Sequence, residues 1–236
     1  MQSGDLVSLY HDIDVQRMTF PADTDKKLER VRPMAHLTIG TRKNGPSHRI
    51  GESKPRMSIM IPAWVDGTLT PVEKLEAHQR GLRHKAVSVF VIRGTEVLMQ
   101  QRAMGKYHTP GLWANTCCTH PGWNEPPLVC AVRRLDEEVG ITGLPLEHRH
   151  HLEYRADVGN GMIEHEVVDV YLARAPQDLK VVPNPDEVMA VEWMDYHDLM
   201  ALVRHEPERF TPWLRIYLTD HAGTIFGADL AQAARA

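Results

Sequence analysis

The 236-residue chain is 42% apolar and 25% charged, with a formal net charge of −4 at neutral pH. Such a composition fits a soluble globular protein, either one sizeable domain with extensions or two small ones, and is long enough to bury a core without disulfides. The near balance of charge excludes the broad basic field of a nucleic-acid-binding surface. No apolar run reaches the ~18 residues needed to span a bilayer, and no basic stretch followed by an apolar one suggests a leader. The three cysteines, Cys117, Cys118 and Cys130, are too few and too odd in number for a disulfide framework. They point to a reducing cytoplasm.

Residues 1–56 are polar and irregular, broken by stretches such as Lys43-Asn44-Gly45-Pro46. They are expected to form a partly disordered extension, with the main domain over 57–236. Met57–Pro62 reads as a short strand. Pro71–Arg80 reads as a helix with Thr70 as N-cap and Gly81 as its stop. Ala86–Ile92 and Val97–Gln101 flank Arg93-Gly94-Thr95 and suggest a hairpin. Leu112–Cys118 is extended after the Pro110-Gly111 turn. Pro126–Val139 is an amphipathic helix, with Leu128, Val129, Val132, Leu135 and Val139 three or four apart and Gly140 at its end. Gly159-Asn160-Gly161 joins Glu153–Val158 to Met162–Leu172 as a second hairpin. Val188–Met194 is a further strand, a helix follows from about Tyr196, and the tail from Phe210 is helical in character. Strands and helices are mixed without strict alternation, which makes the class α+β.

The helix from Pro126 carries Arg133, Arg134, Glu137 and Glu138. Helical spacing puts Arg134 and Glu138 on one face and sends Glu137 and Glu138 in different directions, so one carboxylate is free to meet a cation. Aligned on Gly140, the segment resembles the Nudix family signature G-x5-E-x7-R-E-U-x-E-E-x-G-U. It matches at Glu125, Arg133, Leu135, Glu137, Glu138, Gly140 and Ile141. It departs at Thr119, where the signature has Gly, and at Arg134, where it has Glu. The resemblance implies an α/β/α sandwich around a mixed β-sheet. The family's hydrolases use the replaced Glu on their metal, so Arg134 argues against ordinary diphosphate hydrolysis. An Arg there would suit a phosphate oxygen.

Four further segments gather donors. His78 and His84 bracket a helix end and a strand start. Cys118 and His120 are two apart on an extended segment and so share a face, as do Glu164 and Glu166 in a strand. Tyr154 lies on the partner strand of that hairpin. Three imidazoles and two carboxylates make a five-ligand set that suits Mn²⁺, Mg²⁺ or Zn²⁺.

Together these segments, with Arg102, Lys106 and Pro212-Trp213, are similar to the type 1 isopentenyl-diphosphate isomerase family over roughly Met57 to Trp213. The resemblance implies interconversion of isopentenyl and dimethylallyl diphosphate by protonation and deprotonation through a carbocation. It implies Cys118 and Glu166 as the acid–base pair, Tyr154 orienting a proton beside Glu166, and His78, His84, His120, Glu164 and Glu166 as metal ligands. Trp213 would wall the carbocation. Arg102, Lys106 and Arg134 are the candidates to bind the diphosphate, with Glu138 holding a second, diphosphate-bound Mg²⁺. Cys117 should point away from Cys118, and Cys130 should be buried and inert. The alternative reading is a Nudix hydrolase of a nucleoside diphosphate derivative.

Overall fold

The structure is a computed structural model that describes residues 59–233. The extension expected over 1–56, and the first two residues of the strand expected from Met57, lie outside the described residues. The first described element is β1 (Met60–Val65), which pairs antiparallel with β2 (Thr68–Glu73). Asp66 and Gly67 join them with positive φ at both positions, 49° and 80°. A two-residue hairpin turn needs that backbone, and Asp-Gly supplies it.

This hairpin corrects the helix expected from Pro71. Pro71 faces Pro62 across the pair, and Thr70 faces Ala63 rather than capping a helix. Because β2 is the edge of the sheet, the missing amide of Pro71 breaks no ladder bond. The helix α1 is only Lys74–Gln79, capped by the Glu73 carboxylate, which accepts from Glu76 N at 2.9 Å.

Beyond α1, β3 (Arg83–Arg93) forms the spine of a sheet to which the described residues contribute nine strands. It pairs in parallel with β8 (Ile163–Arg174) over ten residues and antiparallel with β6 (Cys117–Thr119). On the same flank as β6, opposite β8, it meets β4 (Glu96–Arg102), which pairs with β5 (Trp113–Asn115) and β9 (Val188–Asp195). The stretch expected to be extended to Cys118 is thus two strands. The break falls at Thr116, whose buried hydroxyl accepts from Val91 N and donates to Leu98 O. The remaining strand, β7 (Glu147–Asp157), begins before the expected Glu153. Its first half is polar, and a bulge between His148 and His150 interrupts its register with β8.

Alternation along β3 divides the core. Ala86, Phe90 and Ile92 pack with residues of α3 (Tyr196–His205), α4 (Pro212–Asp220) and α5 (Ala222–Ala233). Val87, Val89 and Val91 pack instead with Cys130, Leu135 and Val139 of α2 (Pro127–Val139). A strand buried on both faces reads as a near-continuous apolar run, and Ala86–Ile92 is one apart from the buried Ser88. The result is the expected α/β/α sandwich. The α2 helix ends at Gly140, whose φ of 65° is left-handed. A Cβ at Gly140 would stand 2.9 Å from Val182 O, so only glycine fits this crossing.

Candidate active site

Register places the two candidate acid–base groups. Glu166 lies opposite His84 and Cys118 opposite Ser88, on the two strands that flank β3. His84 and Ser88 share a face of β3, so Glu166 and Cys118 reach the same cleft from opposite sides. Cys117 faces the other way, fully buried against α2 residues. Cys130 is also buried, as expected.

Four donors converge beneath the cleft. His78 Nδ1 donates to Lys74 O at 2.7 Å, and His84 Nδ1 donates to Leu82 O at 2.7 Å. A carbonyl only accepts, so each Nδ1 carries the proton and each Nε2 keeps its lone pair. His78 Nε2 has no hydrogen-bond partner, though it is buried. His84 Nε2 stands 3.2 Å from His120 Nε2, which stands 2.8 Å from Glu166 Oε1. Ligand atoms of His78, His84, His120 and Glu166 all lie within 4.8 Å of one another. Convergent imidazole nitrogens and a carboxylate oxygen, with an orphaned buried nitrogen among them, are compatible with divalent-metal binding, and these residues fit such an ion. Glu164, expected as the fifth ligand, falls instead in a second group with His78 and His108.

His78, His120 and His108 are held neutral. Burial pushes His78 down to about 4, with His84 adding to the effect, and pushes His120 well below the usual range. Burial followed by Arg102 lowers His108 to about 2. The two carboxylates are split. Burial and then Glu166 raise Glu164 well above the ordinary range. Burial opposes ionisation of Glu166 too, but its contacts with His120 and His84 hold it well below. The Tyr154 hydroxyl bridges them, 2.8 Å from Glu164 Oε2 and 2.7 Å from Glu166 Oε2.

Cys118 is set by two polar neighbours that the sequence reading did not single out. Its Sγ donates to Asn115 Oδ1 at 3.0 Å and lies 3.0 Å from Ser88 Oγ. Asn115 is oriented in turn by donating to Val89 O at 2.9 Å. Burial raises the thiol far above its ordinary range, so Cys118 is a protonated thiol at neutral pH. Their signal was the polar pair Ser88 and Asn115 within apolar strands, a pattern that marks a satisfied buried group.

The cleft brings the expected cations Arg102, Lys106 and Arg134 together. Arg102 is buried, donates to the carbonyls of His108 and Thr109, and lies 5.2 Å from the Trp213 ring. Lys106 pairs with Glu187. Arg134 bonds Glu138 at 2.5 Å and the exposed Glu137 at 2.8 Å. Glu138, only 3% exposed, also accepts from Gln100 at 3.1 Å, so it is the carboxylate of the pair that turns inward. Trp213 lines the cleft together with Tyr107, His108 and Lys74, none of which the sequence reading assigned. Burial first, then Lys106 and the two arginines, push the Lys74 ammonium down to about 8. Lys74 was hidden by the misplaced helix start.

Among the described residues no helix is long and apolar enough to cross a membrane. Residues 82–214 match the NUDIX domain family. The chain is 73% identical over 171 residues to the isopentenyl-diphosphate Delta-isomerase of Roseobacter denitrificans, a match covering 72% of this chain and 97% of that one. It is 67% identical over 180 residues to the enzyme of the same name from Ruegeria pomeroyi, covering 76% of this chain and 100% of that one. A solved structure from Deinococcus radiodurans, 13% identical, shares the fold with a TM-score of 0.54 over 67% of this chain and 96% of that one. The chain therefore belongs to the NUDIX superfamily and, within it, to the isopentenyl-diphosphate Delta-isomerase family.

Proposed function

We infer that the protein is an isomerase that interconverts isopentenyl diphosphate and dimethylallyl diphosphate. The observation that carries this reading is the approach of Cys118 and Glu166 to one buried cleft from strands on opposite sides of β3. Moving a double bond of this kind requires a proton added at the terminal alkene carbon and another removed from the neighbouring methylene. The intervening species is a tertiary carbocation. Two acid–base groups on either side of a flat hydrocarbon meet that need. Water would trap the cation, so the site must keep it out; Glu166 is buried and Cys118 half-buried in the cleft.

Cys118 enters as a neutral thiol held by Asn115 and Ser88. Glu166 enters as a carboxylate hydrogen-bonded by Tyr154, which links it to Glu164. Trp213 presents an aromatic wall to the hydrocarbon. The diphosphate would lie toward Lys74, Arg102, Lys106 and Arg134, with Glu138 placed to hold a Mg²⁺ on its oxygens. His78, His84, His120 and Glu166 would hold the resident divalent ion, with Glu164 held beside Glu166 by the Tyr154 hydroxyl that touches both, and imidazole-rich ligation favours Zn²⁺ or Mn²⁺ over Mg²⁺ there. When bound, that ion would lower the proton affinity of the carboxylates that touch it. The free thiols of Cys117, Cys118 and Cys130 support a reducing compartment, the cytoplasm.

The test is direct. Reduced, metal-loaded protein in deuterated buffer with Mg²⁺ and isopentenyl diphosphate should incorporate deuterium and yield dimethylallyl diphosphate. Neither label nor product, with the metal content verified, would sink the reading.

A further inference from the structure

A second phenol lies behind the thiol. Tyr217, on α4, is fully buried, its ring edge-on to Tyr154 at 5.8 Å and to Phe90 at 6.0 Å between centroids. Its hydroxyl is buried without a hydrogen-bond partner. A donor left unmade in the interior is costly, and a native fold that keeps one beside its reacting groups has a use for it. The groups that act on this hydroxyl belong to the thiol site. Burial pushes the phenol well above its ordinary range, Cys118 and then Glu166 add to this, and the Ser88 hydroxyl works in the opposite sense. Tyr217 is therefore a neutral donor set beside Ser88 and Cys118.

Ser88 has a place for that donor. Asn115 Nδ2 donates to Ser88 Oγ at 2.9 Å, and also to the carbonyls of Val89 and Cys117, at 2.9 and 3.1 Å. Carbonyls only accept, so the amide orientation is fixed and its Oδ1 takes the thiol proton at 3.0 Å. With the one thiol proton committed, the 3.0 Å contact between Ser88 Oγ and Cys118 Sγ is a bond donated by the serine. That uses the serine proton and one of its two lone pairs, and leaves the other open.

We propose that Tyr217 is a positioning residue for the isomerisation: it donates to Ser88 Oγ, and the Ser88 hydroxyl so polarised holds the Cys118 sulfur while that atom gives up and regains its proton. The inference rests on the isomerase reading above. In either direction of that reaction the S–H bond breaks or forms against a substrate carbon, and its electron pair stays on sulfur. No proton crosses Ser88 or Tyr217. Once the sulfur has lost its proton it faces Asn115 Oδ1, acceptor against acceptor, and Ser88 is the donor that remains to it. Donors linked in a chain polarise one another, so a phenol behind the serine strengthens the bond to sulfur.

Tyr217→Phe keeps the ring and should lower kcat by about three- to tenfold, the scale of one neutral hydrogen bond, with KM unchanged. Ser88→Ala should lower kcat at least as far. Because Tyr217 acts through Ser88, the double variant Ser88→Ala/Tyr217→Phe should be no slower than Ser88→Ala alone. A kcat for Tyr217→Phe equal to that of wild type overturns the proposal, and so does a double variant in which the two losses multiply. A second readout needs no turnover. The infrared S–H stretching band of Cys118, isolated by subtracting the spectrum of the matching Cys118→Ala protein, should shift in Tyr217→Phe. An unmoved band in an active enzyme overturns the donor chain alone. Wild type that forms no dimethylallyl diphosphate, although the band moves, overturns the isomerase reading instead.

Discussion

Tyr154 donates to Glu166, its hydroxyl 2.7 Å from Oε2 of a carboxylate that also meets His120 at 2.8 Å. One phenol proton serves two carboxylates here, since Glu164 Oε2 is 2.8 Å from the same oxygen. Removing the hydroxyl leaves the ring packed edge-on against Tyr217, 5.8 Å between centroids, so the fold should survive. Tyr154→Phe is expected to lower kcat by about 10²-fold or more, the scale of general acid–base assistance, with KM changed little. Steady-state kinetics check this. A raised KM at unchanged kcat would make Tyr154 a binding residue instead.

The adjacent cysteines separate chemistry from packing. Cys118 faces the cleft, while Cys117 is fully buried among apolar residues on the α2 side of the sheet. Cys118→Ala is expected to abolish isomerisation while leaving thermal stability close to wild type. Cys117→Ala should keep most turnover but lose about 1 kcal/mol of stability to the small void it leaves. Product formation and a thermal melt of both variants decide it, and the reverse pattern would invert the face assignment.

Much of this was legible in the sequence, and the reasons are specific. The apolar run Ala86–Ile92, the periodic helix ending at Gly140 and the period-two pairs Cys118/His120 and Glu164/Glu166 are each strong local patterns. What failed was arbitration between local signals. Pro71 resembled a helix start, although the Asp66-Gly67 turn before it was the stronger signal. The polar first half of β7 carried no alternation, because its strand character comes from pairing with β8. His108, one of 14 histidines, has no spacing partner in sequence, and only the loop geometry set by Arg102 brings it to Glu164.

Lys74 gives a pH signature with two opposite arms. Burial and then Lys106, Arg134 and Arg102 lower its pKa from 10.5 to about 8. The unfolded chain keeps that proton to higher pH, so the lysine's penalty on stability is fully present below about 8 and is relieved between there and 10.5. Its charge toward a diphosphate is lost over the same window. As pH rises through about 8, kcat/KM should therefore fall, since it reports groups of the free enzyme. Stability should meanwhile gain relative to Lys74→Met, which removes the titration. Rate profiles and chemical denaturation on either side of pH 8 test the pair. A Lys74→Met enzyme with the same kcat/KM inflection would assign the titration to another group.

Arg134 stands where the Nudix signature has Glu, and its surroundings explain what the exchange achieves. Its guanidinium bonds Glu138 at 2.5 Å and Glu137 at 2.8 Å and approaches Glu187 at 3.4 Å. It is thus a cation that holds three carboxylates together at the end of the cleft where the diphosphate is proposed to lie. Arg134→Glu would set a fourth carboxylate among them and repel the substrate's anionic end. We expect KM for isopentenyl diphosphate to rise by about 10- to 100-fold, the scale of one lost charge-assisted bidentate contact. Arg134→Lys should recover part of the loss, because it restores the charge without the planar fork. Inorganic phosphate release should stay at background in all three proteins, since the signature Glu alone does not remake the cleft for hydrolysis. Kinetics with parallel phosphate detection check both points. Hydrolysis gained by Arg134→Glu would mean that this one residue, rather than Cys118 and the histidine cluster, separates the two chemistries of the fold.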